Sequence, residues 1–538
     1  MRYQPSLTPL VLAVGLSLAA CSDLLVENPK GFTTTDTFFK TGADLNSGTL
    51  AIYSALRGFE GQSNWTTPEL ASDQTRADNR EPNAGTYGPD RLTWSASSGR
   101  AIVPFGTHYA VITEANLVLA KGPGIQTSDT LTKAYNLAEA KLLRGYAYLR
   151  LTKMYDGVPL LLTPEDQANP SPTRATVEAV HQAVIKDLTE AKAGLPVAWS
   201  GDDGYGNPTQ GRVTKGAAEM ALADLYLWRS SFMGKNEWQL ASDWADSVIA
   251  SGLWSLNDDY IKTFLPSNKG NPEEILVITN SGVVDRTSNI FQLFYYPRDW
   301  GLDAGQGGGW GLIHPTDWFL NSYFPGDYRG SRGFEGYKTD SAYVAGGCGL
   351  TICADTLGDG PMPYKYRKSD NGATWWLGDV DVPLYRYAEA LLIYAEAQNE
   401  LGNTGVAVQY LNMIRARARK GTGAQARTQP HDYGTAGEAM DKLSVRDAIF
   451  MERAWEFAFE AKRWFDLVRR DSEEPGYWKN SLIAHDPSFD QTPPNPKPLP
   501  DEYKKRWPIP QAQIDANPAL CQNPGYGGTA CPPGVTVP

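Results

Sequence analysis

Residues 444–470 read SVRDAIFMERAWEFAFEAKRWFDLVRR. Ser444-x-x-Asp447 has the form of a capping box, in which a hydroxyl and a carboxylate satisfy the free N–H groups of a first helical turn. No Pro or Gly follows within the stretch, so the spacing predicts one helix of about seven turns. Val445, Ile449, Trp455, Phe459, Leu467 and Val468 supply apolar surface. Glu452, Arg453, Glu456, Glu460, Arg463 and Asp466 are threaded among the aromatic residues. Carboxylates and guanidinium groups three or four residues apart among large rings predict partly buried ion pairs. Glu452 and Glu456 lie at i and i+4 and would share a face, which also permits a metal or acid/base reading. A di-metal carboxylate helix adds a His three residues after a Glu, and this stretch has no His. The structural reading is therefore adopted.

Working outward, the chain has 538 residues and a formal charge of −12, from 61 acids against 49 bases. No long basic run accompanies this acidity, which argues against nucleic acid as a partner. Residues 10–20 (LVLAVGLSLAA) follow Arg2 and are too short to span a bilayer, so they read as a signal peptide. The run ends in Leu18-Ala19-Ala20-Cys21, which resembles a bacterial lipobox. Cleavage before Cys21 would leave a lipidated cysteine, and buried acyl chains at about 0.8 kcal/mol per CH₂ anchor firmly. As an ordinary secretory signal, the same run would leave Cys21 unmodified. The other four cysteines form two local pairs, and in an exported chain Cys348–Cys353 and Cys521–Cys531 are expected to close as disulfides.

Helices are predicted at 36–58, 102–121, 129–155, 176–192, 214–231 and 236–251. Small Ala and Gly at close-approach positions, with Tyr, Leu and Trp beyond, are the pattern of tetratricopeptide-type hairpins. A strand is expected at 273–280, and helices return over 381–402 with Pro383 in the first turn. Residues 59–100 read as loops in which Asp73, Arg76, Asn79, Asp90 and Arg91 surround Trp65, Tyr87 and Trp94. Residues 291–340 carry ten of the 52 glycines together with Tyr295, Trp300, Trp310 and Trp318. A ring that covers the apolar C–H face of a sugar, flanked by amide and carboxylate groups for the hydroxyls, suits carbohydrate. The segment GQGGGWG at 305–311 lacks the lysine of a phosphate-binding loop.

Three separated motifs resemble one family. ERAWEFAFEAKRWFDLVR at 452–469 resembles the C-terminal helix motif of the SusD/RagB family of outer-membrane nutrient-binding lipoproteins. DVPLYRYAEALLIYAEAQNELGN at 381–403, followed by AVQYLNMIRARA at 407–418, resembles that family's signature helix pair. RWPIPQAQIDANPALCQNPGY at 506–526 resembles its terminal motif, with Gln513 where an acid is common. VENPKGFTTTDTFFKT at 26–41 is similar to its opening segment.

The resemblance implies a mostly α, SusD-like domain of tetratricopeptide-like hairpins with a long loop-rich insert and little β structure. Its expected layout is a signal peptide at 1–20, a lipidated tether at 21–35 and a single domain at 36–538. Within that domain, 36–254 and 381–470 form the scaffold, 255–380 the ligand-binding insert and 471–538 an irregular tail. Arg386, Glu389, Glu396, Asn412, Arg415 and Arg417 are expected to form a structural network beside 444–470. The implied function is capture of an oligosaccharide at the outer face of the outer membrane and its delivery to a TonB-dependent SusC-like barrel. The expected ligand contacts are Asp73, Asn79, Trp94, Tyr295, Trp300, Trp310 and Trp318. No catalytic residue, metal or cofactor is expected. The five histidines form no HExxH, and no GxSxG elbow occurs. Two other classes remain open: a helical-repeat scaffold that binds peptides or envelope proteins, and an α-helical glycosidase with a carboxylate pair.

Overall fold

A computed structural model describes residues 35–60, 62–77, 84–199, 201, 211–280, 291–295, 310–327, 329–330, 365–366, 378–420, 428–489 and 497–536. Cys21 and the tether, Asn79, Trp300, Cys348, Cys353 and most of the expected insert lie outside these residues. The described chain is mostly helical, as expected.

After a single helical turn at Thr35–Phe38 comes α1 (Gly42–Leu56), held at its start by a capping box between Thr41 and Asp44. Residues 59–100, read as loops, contain α2 (Gln62–Leu70), β1 (Thr75–Ala77) and α3 (Ala84–Asp90). Pro68 and Pro89 lie inside α2 and α3, and α2 has almost no apolar periodicity. Those features mask helix in sequence. Helices α4 (Gly99–Lys121), α5 (Thr130–Tyr155), α6 (Val177–Gly194), α7 (Lys215–Ser231) and α8 (Trp238–Ala250) follow, each packed against the next. Side chains of Asp129 and Thr176 cap α5 and α6. Gly216 on α7 is required by packing, because a Cβ there would lie 2.0 Å from the Trp254 ring.

Strand β2 (Glu274–Ile278) leads to β3 (Ile313–Pro315) and the short α9 (Asp317–Ser322). Two small antiparallel sheets tie distant parts of the chain together, β1 with β3 and β2 with β4 (Val382–Arg386). Pro383, expected in a first helical turn, is instead a residue of β4 opposite Val277. The helix starts one residue after the strand, as α10 (Tyr387–Glu400), and its hairpin partner is α11 (Thr404–Ala418). Among the described residues each sheet has two strands, so proline sits on an edge, where a missing N–H is tolerated.

The stretch 444–470 is not one helix. It forms α12 (Lys442–Glu456) and α13 (Arg463–Glu473), with a break between them. The N-cap is Asp441, whose carboxylate accepts from the N–H groups of Leu443 and Ser444 at 3.0 and 3.1 Å. Within the break Phe459 and Ala461 take positive φ of 64° and 54°, which is costly for residues with a Cβ. Partners from other elements hold it open. The Phe459 carbonyl accepts from Trp65 Nε1 at 3.1 Å and from the Tyr366 hydroxyl at 2.9 Å. Lys365 Nζ donates to the Ala458 carbonyl at 2.7 Å, and Ala461 N–H donates to Glu69 at 2.7 Å. The last helical segments are α14 (Tyr477–His485) and α15 (Gln511–Ala516).

One contiguous core runs from Leu45 to Leu520. The terminal segment is anchored by the Cys521–Cys531 disulfide and by Gly525, whose φ of 85° and contact with the Tyr503 ring leave no room for a Cβ.

Candidate functional site

The acids of α12 and the break are struts in a cluster that balances only with Asp327, which pairs with Arg329 at 2.8 Å. Glu452 accepts from Arg329 Nη1 at 2.6 Å and Arg415 Nε at 2.9 Å. Glu456 accepts from Arg386 Nη1 at 2.6 Å, from Arg329 Nη1 at 3.2 Å and from Arg417 Nη2. Glu460 accepts from Arg386 Nε at 2.9 Å and Lys365 Nζ at 2.6 Å, and Glu273 joins through Arg386 and Arg417. The side chains of Glu452, Glu456 and Glu273 are wholly shielded from solvent. Burial pushes the Glu456 carboxyl up, but Arg417, Arg386 and Arg329 outweigh it and hold the group well below the usual carboxylate range. Lys365 is driven down to about 8 by burial, against the attraction of Glu460. Of the flanking residues, Arg386, Arg415 and Arg417 meet this cluster, while Glu389 pairs with Lys462 and Glu396 with Arg469. Asn412 instead bonds the backbone of Tyr433.

Charges so arranged stabilise the joint between two helices and engage each of these four carboxylates internally. Glu69 is a carboxyl of the opposite kind, raised by burial to about 8. It is only 1 % exposed and bonded to the break, so it has no route to an external bond. Among the described residues no group of three His, Cys, Asp or Glu could hold a metal ion.

Three of the expected ligand contacts lie in the interior. Asp73, in the turn between α2 and β1, is fully buried and receives Arg463 Nε and Nη2 at 2.8 and 2.9 Å. Burial raises its carboxyl, but Arg463 and then His485 outweigh burial and bring it to about 2. Trp94 is 3 % exposed, packs edge-on against Trp464 and donates Nε1 to the Tyr526 hydroxyl at 2.9 Å. Tyr295 is 1 % exposed, with its hydroxyl accepting from Trp65 Nε1 at 3.1 Å. Residues from four distant segments meet these side chains, and no local pattern announces that.

Trp310 and Trp318 remain half-buried, each with one side on the core. Trp310 packs on Phe294, at 5.6 Å between centroids, and its N–H donates to the Leu293 carbonyl. Trp318 sits in the first turn of α9. The β1–β3 pairing and Thr316 fix that turn, since Thr316 N–H donates to the Gln74 carbonyl and its hydroxyl to the Asp73 carbonyl at 2.9 Å. The Trp318 ring stacks on His485 with centroids 3.4 Å apart and planes 6° apart. His485 Nδ1 in turn lies 2.9 Å from Asp73. Asp73 therefore bears on Trp318 from behind, through the imidazole. His485 was absent from the sequence-based set, because only the fold brings α14 to α9.

A second set of rings surrounds an open cleft of about 450 Å³ lined by Trp199, Trp254, Val197, Leu253 and Glu274. Val197 and Leu253 are 57 % and 48 % exposed. Both indoles are tied to the frame, Trp199 Nε1 to the Val213 carbonyl and Trp254 Nε1 to the Glu274 carbonyl. Their position in non-periodic sequence beside helix ends was the available signal.

The scaffold thus belongs to the class of helical-hairpin proteins that carry aromatic side chains on connecting loops. Residues 335–526 match the model of the SusD family, and residues 27–227 match the model described as "Starch-binding associating with outer membrane". SusD-like protein P2 of Formosa agariphila is 27 % identical over 530 residues, 95 % of this chain and 98 % of that protein. Starch-binding protein SusD of Bacteroides thetaiotaomicron is 25 % identical over 491 residues, 81 % and 80 % of the two chains. A solved SusD homolog from Bacteroides thetaiotaomicron superposes with a TM-score of 0.74 at 20 % identity, covering 91 % of this chain and 98 % of its own. A solved laminarin-binding SusD-like protein gives 0.69 at 23 %, covering 90 % and 100 %. The chain is thus similar to SusD-family proteins over both segments, 27–227 and 335–526.

Proposed function

We propose that this protein is a cell-surface oligosaccharide-binding lipoprotein, anchored in the outer membrane through Cys21 and without catalytic activity. It captures a glycan and passes it to a TonB-dependent SusC-like barrel. The carrying observation is that the two half-buried rings of the Trp310–Trp318 segment sit on a SusD-family scaffold and are braced from behind. A braced indole loses little conformational freedom when a sugar stacks on it, which favours affinity. Family relatives named for binding starch and laminarin support a glycan as the ligand class. The balanced ion pairs of α12 and the break support a non-catalytic role, since glycoside hydrolysis needs a free carboxylate beside a protonated one at the substrate. Among the described residues no helix is long and apolar enough to cross a membrane.

The test is a glycan array with the chain from residue 22 onward, then calorimetry of the best ligand. Trp310→Ala and Trp318→Ala together are expected to weaken binding by about tenfold or more, since an aromatic contact contributes roughly 0.5–1.5 kcal/mol beyond its buried area. Unchanged affinity would remove these rings from the site. Peptide binding without glycan binding, or release of reducing ends from a polysaccharide, would overturn the function itself.

A further inference from the structure

A small cavity lies where α5, α7, α10, α12 and α13 converge, with room for about 20 Å³ of water-sized occupancy. That is enough for one water or one monatomic ion. Its wall carries five cationic side chains, Arg150, Lys153, Arg453, Lys462 and Arg469. Buried cations are expected to be paired one for one with carboxylates, and here the pairing falls short.

Lys153 pairs with Asp224 at 2.5 Å, and Lys462 with Glu389 at 2.9 Å. Arg453 and Arg469 share Asp466 at 3.0 and 2.9 Å, and Arg469 also takes Glu396. Three carboxylates, Asp224, Glu389 and Asp466, share the wall with these five cations, and a fourth, Glu396, reaches Arg469 from outside it, which leaves one positive charge over. The residue without an acid among the described residues is Arg150, half-buried on α5 with its guanidinium 4.6 Å above the Phe465 ring. A second observation points to the same place. Arg453 is 3 % exposed and lines the cavity, and its Nη1 is buried with no hydrogen-bond acceptor among the described residues. A buried guanidinium N–H left without an acceptor is destabilising, because it has given up water and gained no partner. The potential also acts on Lys153, which burial lowers to about 8, with Arg150 and Lys462 adding to the effect against Asp224.

We infer that this cavity is a binding site for a small monovalent anion of the halide class, held by Arg150 and the free Nη1 of Arg453. A chloride there neutralises the surplus charge and satisfies the orphan donor in one step, which a neutral water cannot do. It ties α5 to the joint between α12 and α13, so the anion is part of the scaffold. This site does not involve the glycan face.

The experiment uses the whole soluble chain. Crystals grown in sodium bromide are expected to show an anomalous peak in this cavity. Thermal melting in sodium chloride is expected to exceed that in sodium gluconate of equal ionic strength by about 1–3 °C, saturating with halide. Arg150→Gln is expected to abolish that difference, and Arg150→Lys to retain part of it. Melting that is equal in the two salts, with no bromide in the cavity, would overturn the assignment; the wild-type crystal decides the matter even if the Gln variant folds poorly.

Discussion

Asp73→Asn separates a structural carboxylate from a ligand contact. The substitution keeps the shape of the side chain and removes its charge, breaking the two-pronged bond to Arg463 and the contact with His485. Lowering the carboxyl from an ordinary 3.8 to about 2 stabilises the folded state at neutral pH by about 2.5 kcal/mol, at about 1.4 kcal/mol per tenfold change in proton affinity. The variant also strands Arg463, which is 3 % exposed, and removing one partner of a buried pair costs about 3–5 kcal/mol. A loss in that range is expected at pH 7 in urea unfolding. The sign with pH follows from the lowered value. The Asp73 contribution is complete above the unfolded value and is lost as pH falls from about 4 toward 2. The gap between wild type and variant should therefore narrow by about 1 kcal/mol between pH 6 and pH 3. A variant with wild-type stability at pH 7 that had nonetheless lost glycan binding would refute the interior role and return Asp73 to the ligand.

Glu456→Gln should destabilise the protein by about 3–5 kcal/mol, because it leaves Arg329, Arg386 and Arg417 short of a shared carboxylate in a dry site; a urea midpoint within error of wild type would contradict this. Replacing both Cys521 and Cys531 by Ser opens a link ten residues apart in sequence and should cost roughly 3 kcal/mol by loop entropy. The urea midpoint of the oxidised protein against the double variant measures it, and glycan affinity should not change.

Much of the scaffold was legible because it is periodic. The five helices from α4 to α8 lie within a few residues of their sequence positions, since amphipathic spacing, caps and small residues at close approach are local properties. The family resemblance was legible for a related reason. The residues that carry it, Arg386, Glu389, Arg415, Arg417 and the acids of 444–470, are mutually dependent struts whose types are dictated by one another.

Sequence by itself determined that residues 444–470 would bury charge among aromatic rings, and that conclusion stands. Only the tertiary structure decided that the stretch breaks at Phe457–Lys462. The backbone groups freed there are satisfied by Trp65, Glu69, Lys365 and Tyr366, all of which lie far away in sequence, so no local breaker was needed. The same reason governs the candidate site. An Asp beside a Trp-rich loop reads alike in sequence whether it faces a sugar or an arginine. Arg463 and His485, brought in from some 390 and 412 residues away, decide that Asp73 faces inward and leave Trp318 as the ring turned toward the surface.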